Sequence, residues 1–193
     1  MSKADRVRQQ ILESARLCFA RDGLSRATVD VIAQEAGLAK SSLYYYYKSK
    51  EDLFKAIIDE DVVQVKTEIR AAMAQADSVL DEIRAFVLTR MRALSRMVNI
   101  SSALQDDFLR QYTVIQNVRK DYDHYEIALV QSLLDKGVRE GLFNLGDTRL
   151  TALSLVTAMK GLEHEWVVKR SEQEVTAIVH HMLDVLFYGM VQR

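Results

Sequence analysis

Residues 40–54 read KSSLYYYYKSKEDLF, in which four consecutive tyrosines, Tyr44 to Tyr47, follow two serines and stand between lysines, with an acidic pair beyond. As a strand, the segment would point two rings to each face, and its aromatic content favours that reading. As a helix, successive side chains turn by about 100°. Four neighbours then sweep most of the circumference and cannot all enter one core. The flanking sequence has to decide.

Upstream the periodicity is helical. Val7, Ile11, Ala15, Cys18 and Phe19 recur at helix spacing between Asp5 and Asp22, and Gly23 supplies a stop. Thr28 is a natural N-cap for a short helix whose Val29, Ile32, Ala33 and Ala36 share one face and whose end is Gly37. A third helix is expected over Lys40–Tyr46. Ser49 to Asp52 (SKED) then offers a cap and an acidic first turn for a fourth, which carries Leu53, Phe54, Ile57, Ile58, Val62 and Val65. Only Asp61 interrupts that apolar stripe.

Three helices with a glycine turn between the second and third make a helix-turn-helix pattern. In that frame Leu43 and Tyr47 face inward with Leu38, against Ile32 and Phe19. Lys40 lies one turn before Tyr44, Ser41 before Tyr45 and Ser42 before Tyr46, and no carboxylate occurs from Lys40 to Lys50. The outward face is lysine, serine and phenol. A phenol can hydrogen-bond a phosphate oxygen while its ring packs along the sugar, and lysine adds charge. The stretch therefore reads as a DNA-facing helix.

The whole chain agrees with a helical protein. Among 193 residues there is no proline and there are seven glycines, so long apolar patterns run on unbroken. Residues 1–50 hold nine Lys/Arg against five Asp/Glu, and the remainder holds seventeen against twenty-two. A basic head on an acidic body fits a polyanion-binding end joined to a part with another task. No apolar run approaches the ~18 residues of a membrane span, and MSKADRVRQQ lacks the apolar core of a signal peptide. With the single Cys18 read as a buried, reduced thiol, a cytoplasmic protein is expected.

Beyond the head, Asp77 or Ser78 caps a helix bearing Val79, Ile83, Phe86, Val87, Arg90 and Met91. A shorter helix bears Leu104, Phe108, Tyr112 and Ile115, and another runs from about Asp121 to Glu140, ended by Gly141. Asp147 caps a helix with Leu150, Leu153, Val156, Met159, Leu162 and Trp166. The box SEQE at Ser171 to Glu174 opens a last one with Val175, Ile178, Val179, Met182, Leu186 and Met190. The expected fold is all-α with about nine helices, divided into a head over 1–50 and a body over 51–193.

The segment TVDVIAQEAGLAKSSLYYYYKSKEDLFKAI, Thr28 to Ile57, resembles the tetracycline-repressor (TetR) family of bacterial regulators. It contains that family's T-V-x-x-I-A-x-x-A-G helix, its L-Y-x-Y-F recognition helix and its S-K-E-x-L entry to the next helix. The preceding ILESARLCFARDGLSRATV fits equally well. The specific likeness covers roughly the first 60 residues, and beyond them it is one of layout.

The resemblance implies a homodimer formed through the last two helices, an inverted-repeat operator in double-stranded DNA, and a small-molecule effector bound in the body that releases the DNA. It implies DNA contacts from Thr28, from Lys40, Ser41 and Ser42 at the start of the recognition helix, from Tyr44, Tyr45 and Tyr46, and from Lys50 as a backbone clamp. Three departures stand out. Ala39 replaces a common serine cap, Tyr47 replaces the usual phenylalanine, and Asp30 stands where a basic residue is common and is not counted as a contact.

In the body, Phe86, Arg90, Met91, Phe108, Tyr112, Tyr125, Met159 and Trp166 are candidates to line an effector pocket. The plainer reading of each is surface or satisfied core, as that of the lysines and tyrosines of the head is solvated surface or packing. The apolar stripes point to a largely hydrophobic effector. No metal is expected, because His180 and His181 are adjacent on a helix and point about 100° apart. No cofactor or enzyme signature occurs, neither a phosphate-binding glycine loop nor a nucleophile elbow. The alternative to an operator-binding repressor is a helical ligand-binding protein of the same layout that reads no operator.

Overall fold

The computed structural model describes the backbone of residues 2–99, 108–169 and 171–189, and the side chains of these except 94–99, 108–119, 162–169 and 172. Every regular element among them is an α-helix. In chain order these are α1 (Lys3–Arg26), α2 (Val29–Glu35), α3 (Lys40–Tyr46), α4 (Lys50–Met73), α5 (Val79–Asn99), α6 (Phe108–Arg139), α7 (Thr148–Lys169) and α8 (Glu172–Tyr188). Eight helices thus stand among the described residues where about nine were expected. The two helices expected around Phe108–Ile115 and Asp121–Glu140 are one, α6, because neither glycine nor proline lies between them to break it. Leu104 lies outside the described residues.

Contacts divide the chain into two units, Met1–Val63 with Met97–Arg119, and Gln64–Arg96 with Lys120–Arg193. The division falls inside α4, after Val63.

The first unit is built on a core of Ile11, Ala15, Cys18 and Phe19 from α1, Ile32 from α2, Leu43 from α3, and Leu53, Phe54 and Ile57 from α4. Phe19 and Phe54 meet edge to face with centroids 6.0 Å apart. The helix boundaries follow from local chemistry. Gly23, at φ 76°, breaks the regular run of α1 and leaves a short further turn to Arg26. The Thr28 hydroxyl accepts from the Val31 N–H at 3.3 Å, and Ser49 from the Asp52 N–H at 3.0 Å. Asp61, the interruption in the α4 stripe, is explained by Arg16. That guanidinium lies 2.7 Å from Asp61 and 3.2 Å from Glu60, and donates to the Ile57 carbonyl. A charge placed on an inward face has its partner on the helix opposite.

The second unit buries Phe86, Val87 and Met91 of α5, Val130, Leu133 and Leu134 of α6, Ala152, Val156 and Met159 of α7, and Val175, Val179 and Leu183 of α8. Ser78, Asp147 and Ser171 cap their helices as the sequence predicts. Two positions correct the α7 stripe. Leu150 and Leu153, expected inside, are 59% and 46% exposed, and Ala152 supplies the buried position. Leu186 of α8 is likewise 47% exposed. Among the described residues no helix is long and apolar enough to cross a membrane.

Candidate nucleic-acid interface and effector cavity

Tyr44, Tyr45 and Tyr46 are helical and Tyr47 is the extended residue that ends α3, so the strand reading fails. Ala39 gives α3 no side-chain cap, as its methyl dictates, but its extended backbone turns its carbonyl to the N–H groups of Ser42 and Leu43. Leu43 is the anchor, fully buried against the head core. From that one fixed side chain the others follow by rotation. Ser41 and Ser42 are exposed, Tyr44 is 39% exposed and Tyr45 is 78% exposed.

Tyr46 departs from the outward placing expected of it. It lies three residues after Leu43, on the same side of the helix, and is half-buried against the core. Its ring meets Tyr45 edge-on with centroids 5.1 Å apart, and the Arg8 guanidinium lies 5.9 Å from its centroid. Tyr47 is also half-buried, and burial pushes its phenol above the ordinary range.

The lysines are less free than the sequence implies. Lys40 Nζ lies 2.6 Å from Asp30 Oδ1 and 3.0 Å from Oδ2, and 6.0 Å from the Tyr44 ring centroid. The hydrogen bond to Asp30 holds its ammonium above the usual lysine range. Lys50 Nζ donates to the carbonyls of Leu24, Ser25 and Ala27 at 2.8, 2.9 and 3.4 Å. It satisfies the carbonyls around the end of α1. Thr28, just beyond the end of α1, is exposed, its hydroxyl engaged as the α2 cap.

Arg8 is a cation that the sequence reading missed. Nothing in its local pattern distinguishes it from Lys3 or Arg6, and only the tertiary contact with Tyr46 brings it beside α3.

In the body, α5, α6, α7 and α8 enclose a cavity of about 280 Å³. Ile83, Phe86 and Val87 of α5 form one wall, with Val130 and Leu133, Leu155 and Met159, and Met182 and Leu186 opposite. All of its lining side chains are apolar. Two of the candidate pocket residues, Phe86 and Met159, line it. Arg90, Met91 and Tyr125 do not.

Arg90 instead forms a fully buried pair with Glu126, one helical turn from Phe86 on α5 and from Val130 on α6. Tyr125 stacks with Tyr122 and lies beneath Lys66, whose Nζ is 4.3 Å from the ring centroid. The side chains of Phe108, Tyr112 and Trp166 lie outside the described residues. Glu126 was missed at the sequence level, although it sits on the stripe Tyr122–Glu126–Val130–Leu133, a carboxylate on a face that otherwise enters the core.

Residues 11–57 match the family described as bacterial regulatory proteins, tetR family. Over 198 aligned residues the chain is 25% identical to the HTH-type transcriptional regulator AcrR of Shigella flexneri, covering 93% of this chain and 90% of that one. Among solved structures it is similar to the fatty acid degradation regulator FadR from Bacillus halodurans, with a TM-score of 0.75, 26% identity and coverage of 96% and 97%. It also shares its fold with FadR from Bacillus subtilis in complex with stearoyl-CoA, with a TM-score of 0.74, 21% identity and coverage of 95% and 99%.

Proposed function

Because this chain belongs to the TetR family of DNA-binding transcriptional regulators, a family of regulators and not of enzymes, we propose that it acts in the cytoplasm as a homodimeric repressor. It binds an inverted-repeat operator and leaves it when a hydrophobic effector occupies the body. The observation that carries the reading is the geometry of α3. One buried leucine fixes the helix, while Tyr45, 78% exposed, stands on its outer face with Tyr44, Ser41 and Ser42. Large phenols held in water on a short helix gain little as surface but suit phosphate and sugar. Ser41 and Ser42, in the first turn of α3, meet base edges, and Thr28 meets a phosphate. Tyr46 supports Tyr45 by its edge contact, and Lys50 serves by fixing the junction of α1 and α4.

The exposed Leu150 and Leu153 of α7 and Tyr188 of α8 support dimerisation through these two helices. An isologous interface on them gives the protein the two-fold symmetry of an inverted repeat.

The cavity supports an effector with a hydrocarbon chain. It supplies no hydrogen-bonding side chain in its lining, and its volume falls just below the ~300–1,000 Å³ typical of ligand pockets. Since a relative of the same fold is seen with stearoyl-CoA, acyl thioesters are the first class to try. An effector shifts the DNA equilibrium only by binding the DNA-free form more tightly.

Duplexes selected from a random pool by the purified protein, then titrated with acyl-CoA of increasing chain length in a band-shift assay, test the reading. An enriched inverted repeat released by acyl-CoA supports it. A pool without enrichment, or a selected operator indifferent to every chain length, removes the first or the second half.

A further inference from the structure

Asp30 and Lys40 are ten residues apart, one in the first turn of each helix of the helix-turn-helix, and they meet across the Gly37 turn. Lys40 Nζ reaches both carboxylate oxygens, at 2.6 and 3.0 Å, while the side chains remain 62% and 55% exposed. The pair sits on the face that carries Tyr44, 6.0 Å from the ammonium. A carboxylate in this position has two effects on a nearby polyanion. It neutralises the lysine that would otherwise take a phosphate, and it repels the phosphates itself. Neither effect depends on base sequence.

We propose that Asp30 is a specificity-determining residue, which holds the Lys40 ammonium in an internal pair and so lowers the affinity of the head for arbitrary DNA. Affinity for DNA of the wrong sequence consists almost wholly of phosphate contacts and counterion release. Withholding one cation from that sum weakens every non-specific complex. On the operator, base contacts from the first turn of α3 add what arbitrary sequences lack, and the penalty is tolerated there alone. The pair is also reversible. Exposed ion pairs are weak, so a complex that seats α3 deeply in the groove can draw Lys40 onto a phosphate. The inference rests on the reading of α3 as the DNA-facing helix.

The test uses the full-length protein with D30N and the double variant D30N/K40M, a mixed-sequence duplex and the pool-selected operator. Fluorescence anisotropy is read between ~50 and ~200 mM salt. In D30N, binding to the mixed-sequence duplex should tighten about threefold to tenfold at the lower salt, with a salt slope steeper by about 0.9. The ratio of operator to mixed-sequence affinity should fall. In D30N/K40M both gains should disappear. Thermal melts identify any variant that fails to fold, and D30A then replaces D30N. An unchanged slope and ratio in a folded variant overturns the proposal. So does a gain that survives loss of Lys40, since the lysine would then have no part in it. Wild-type protein that binds neither duplex at low salt would overturn the DNA-facing reading of α3 itself, a result distinct from either.

Discussion

Arg90 donates from Nε and Nη2 to the two carboxylate oxygens of Glu126, and neither side chain exposes any surface to solvent. Desolvating two charges is expensive, and their attraction offsets the cost only while both remain. The prediction has two parts. R90A should destabilise the protein by roughly 3–5 kcal/mol, because it leaves the Glu126 carboxylate buried without its guanidinium. The double apolar replacement R90M/E126L should be within about 1 kcal/mol of wild type or more stable by up to ~4 kcal/mol. Urea denaturation decides. A single variant that unfolds at the wild-type midpoint would show that water reaches the site.

Gly137, near the end of α6, lies under the ring of Phe143. A Cβ at 137 would stand 2.2 and 2.3 Å from Phe143 Cδ2 and Cε2. Glycine is present here for space, since a helical position otherwise favours alanine by about 1 kcal/mol. Phe143 also stacks on Phe187 of α8, with centroids 6.3 Å apart, so displacing it loosens the packing of α8. G137A should cost about 1–3 kcal/mol. Placed on F143A, the same change should be neutral or stabilising, because only helix propensity remains. Additive effects in that cycle would refute the clash.

Cys18 is fully buried in the head core, and burial pushes its thiol above the ordinary range. The folded protein therefore keeps a proton that the unfolded chain releases. The contribution is complete below the unfolded thiol's pKa and is lost as pH rises towards the folded value. Native protein at pH 8 should react with a thiol reagent only at the rate at which the head opens, and at full rate in denaturant. Rapid labelling of native protein would show that the thiol is accessible.

The head was legible in the sequence because its signals are local. Thr28 and Ser49 cap where their hydroxyls predict, Gly23 and Gly37 take positive φ, and Leu43 is inward because the rotation of a helix leaves it no choice. The partners that the sequence did not reveal lie far apart along the chain. Asp30 and Lys40 are ten residues apart, Lys50 and Leu24 twenty-six, and Arg90 and Glu126 thirty-six. No window of helical periodicity joins such positions. The α7 stripe was misassigned because Leu150 and Leu153 obey the same 3.6-residue rule as Ala152, Val156 and Met159. Hydrophobicity alone does not tell an apolar face buried within the chain from one left exposed.

Lys50 illustrates how an element boundary can hold a cation. Its three carbonyl acceptors lie between Leu24 and Ala27, around the end of α1. A positive charge there also meets the negative end of the helix dipole. K50M should therefore destabilise the head by about 1 kcal/mol, a partly exposed contact being discounted for solvent. It should lower Tm by a few degrees. Its salt slope for DNA should change by much less than the ~0.9 expected of a lysine bound to phosphate. A full loss of slope at unchanged Tm would return Lys50 to the phosphate backbone.

Tyr44, Tyr45 and Tyr46 should separate by the kind of defect they produce. Tyr45 is the most exposed of the three, and among the described residues its ring meets that of Tyr46 edge to face. Y45A should weaken binding to all duplexes alike, by about tenfold if one hydrogen bond and its ring contact are lost, while Tm stays near wild type. Y45F isolates the hydroxyl and should account for part of that loss. Y46A removes a half-buried ring from the head core and the partner of Arg8, so its defect should appear in Tm as well as in DNA binding. Y44F should resemble Y45F, with a smaller effect, since Tyr44 is half as exposed. Equal loss of stability in Y45A and Y46A would mean that Tyr45 is a packing residue and that the outer face of α3 lacks the contact assigned to it.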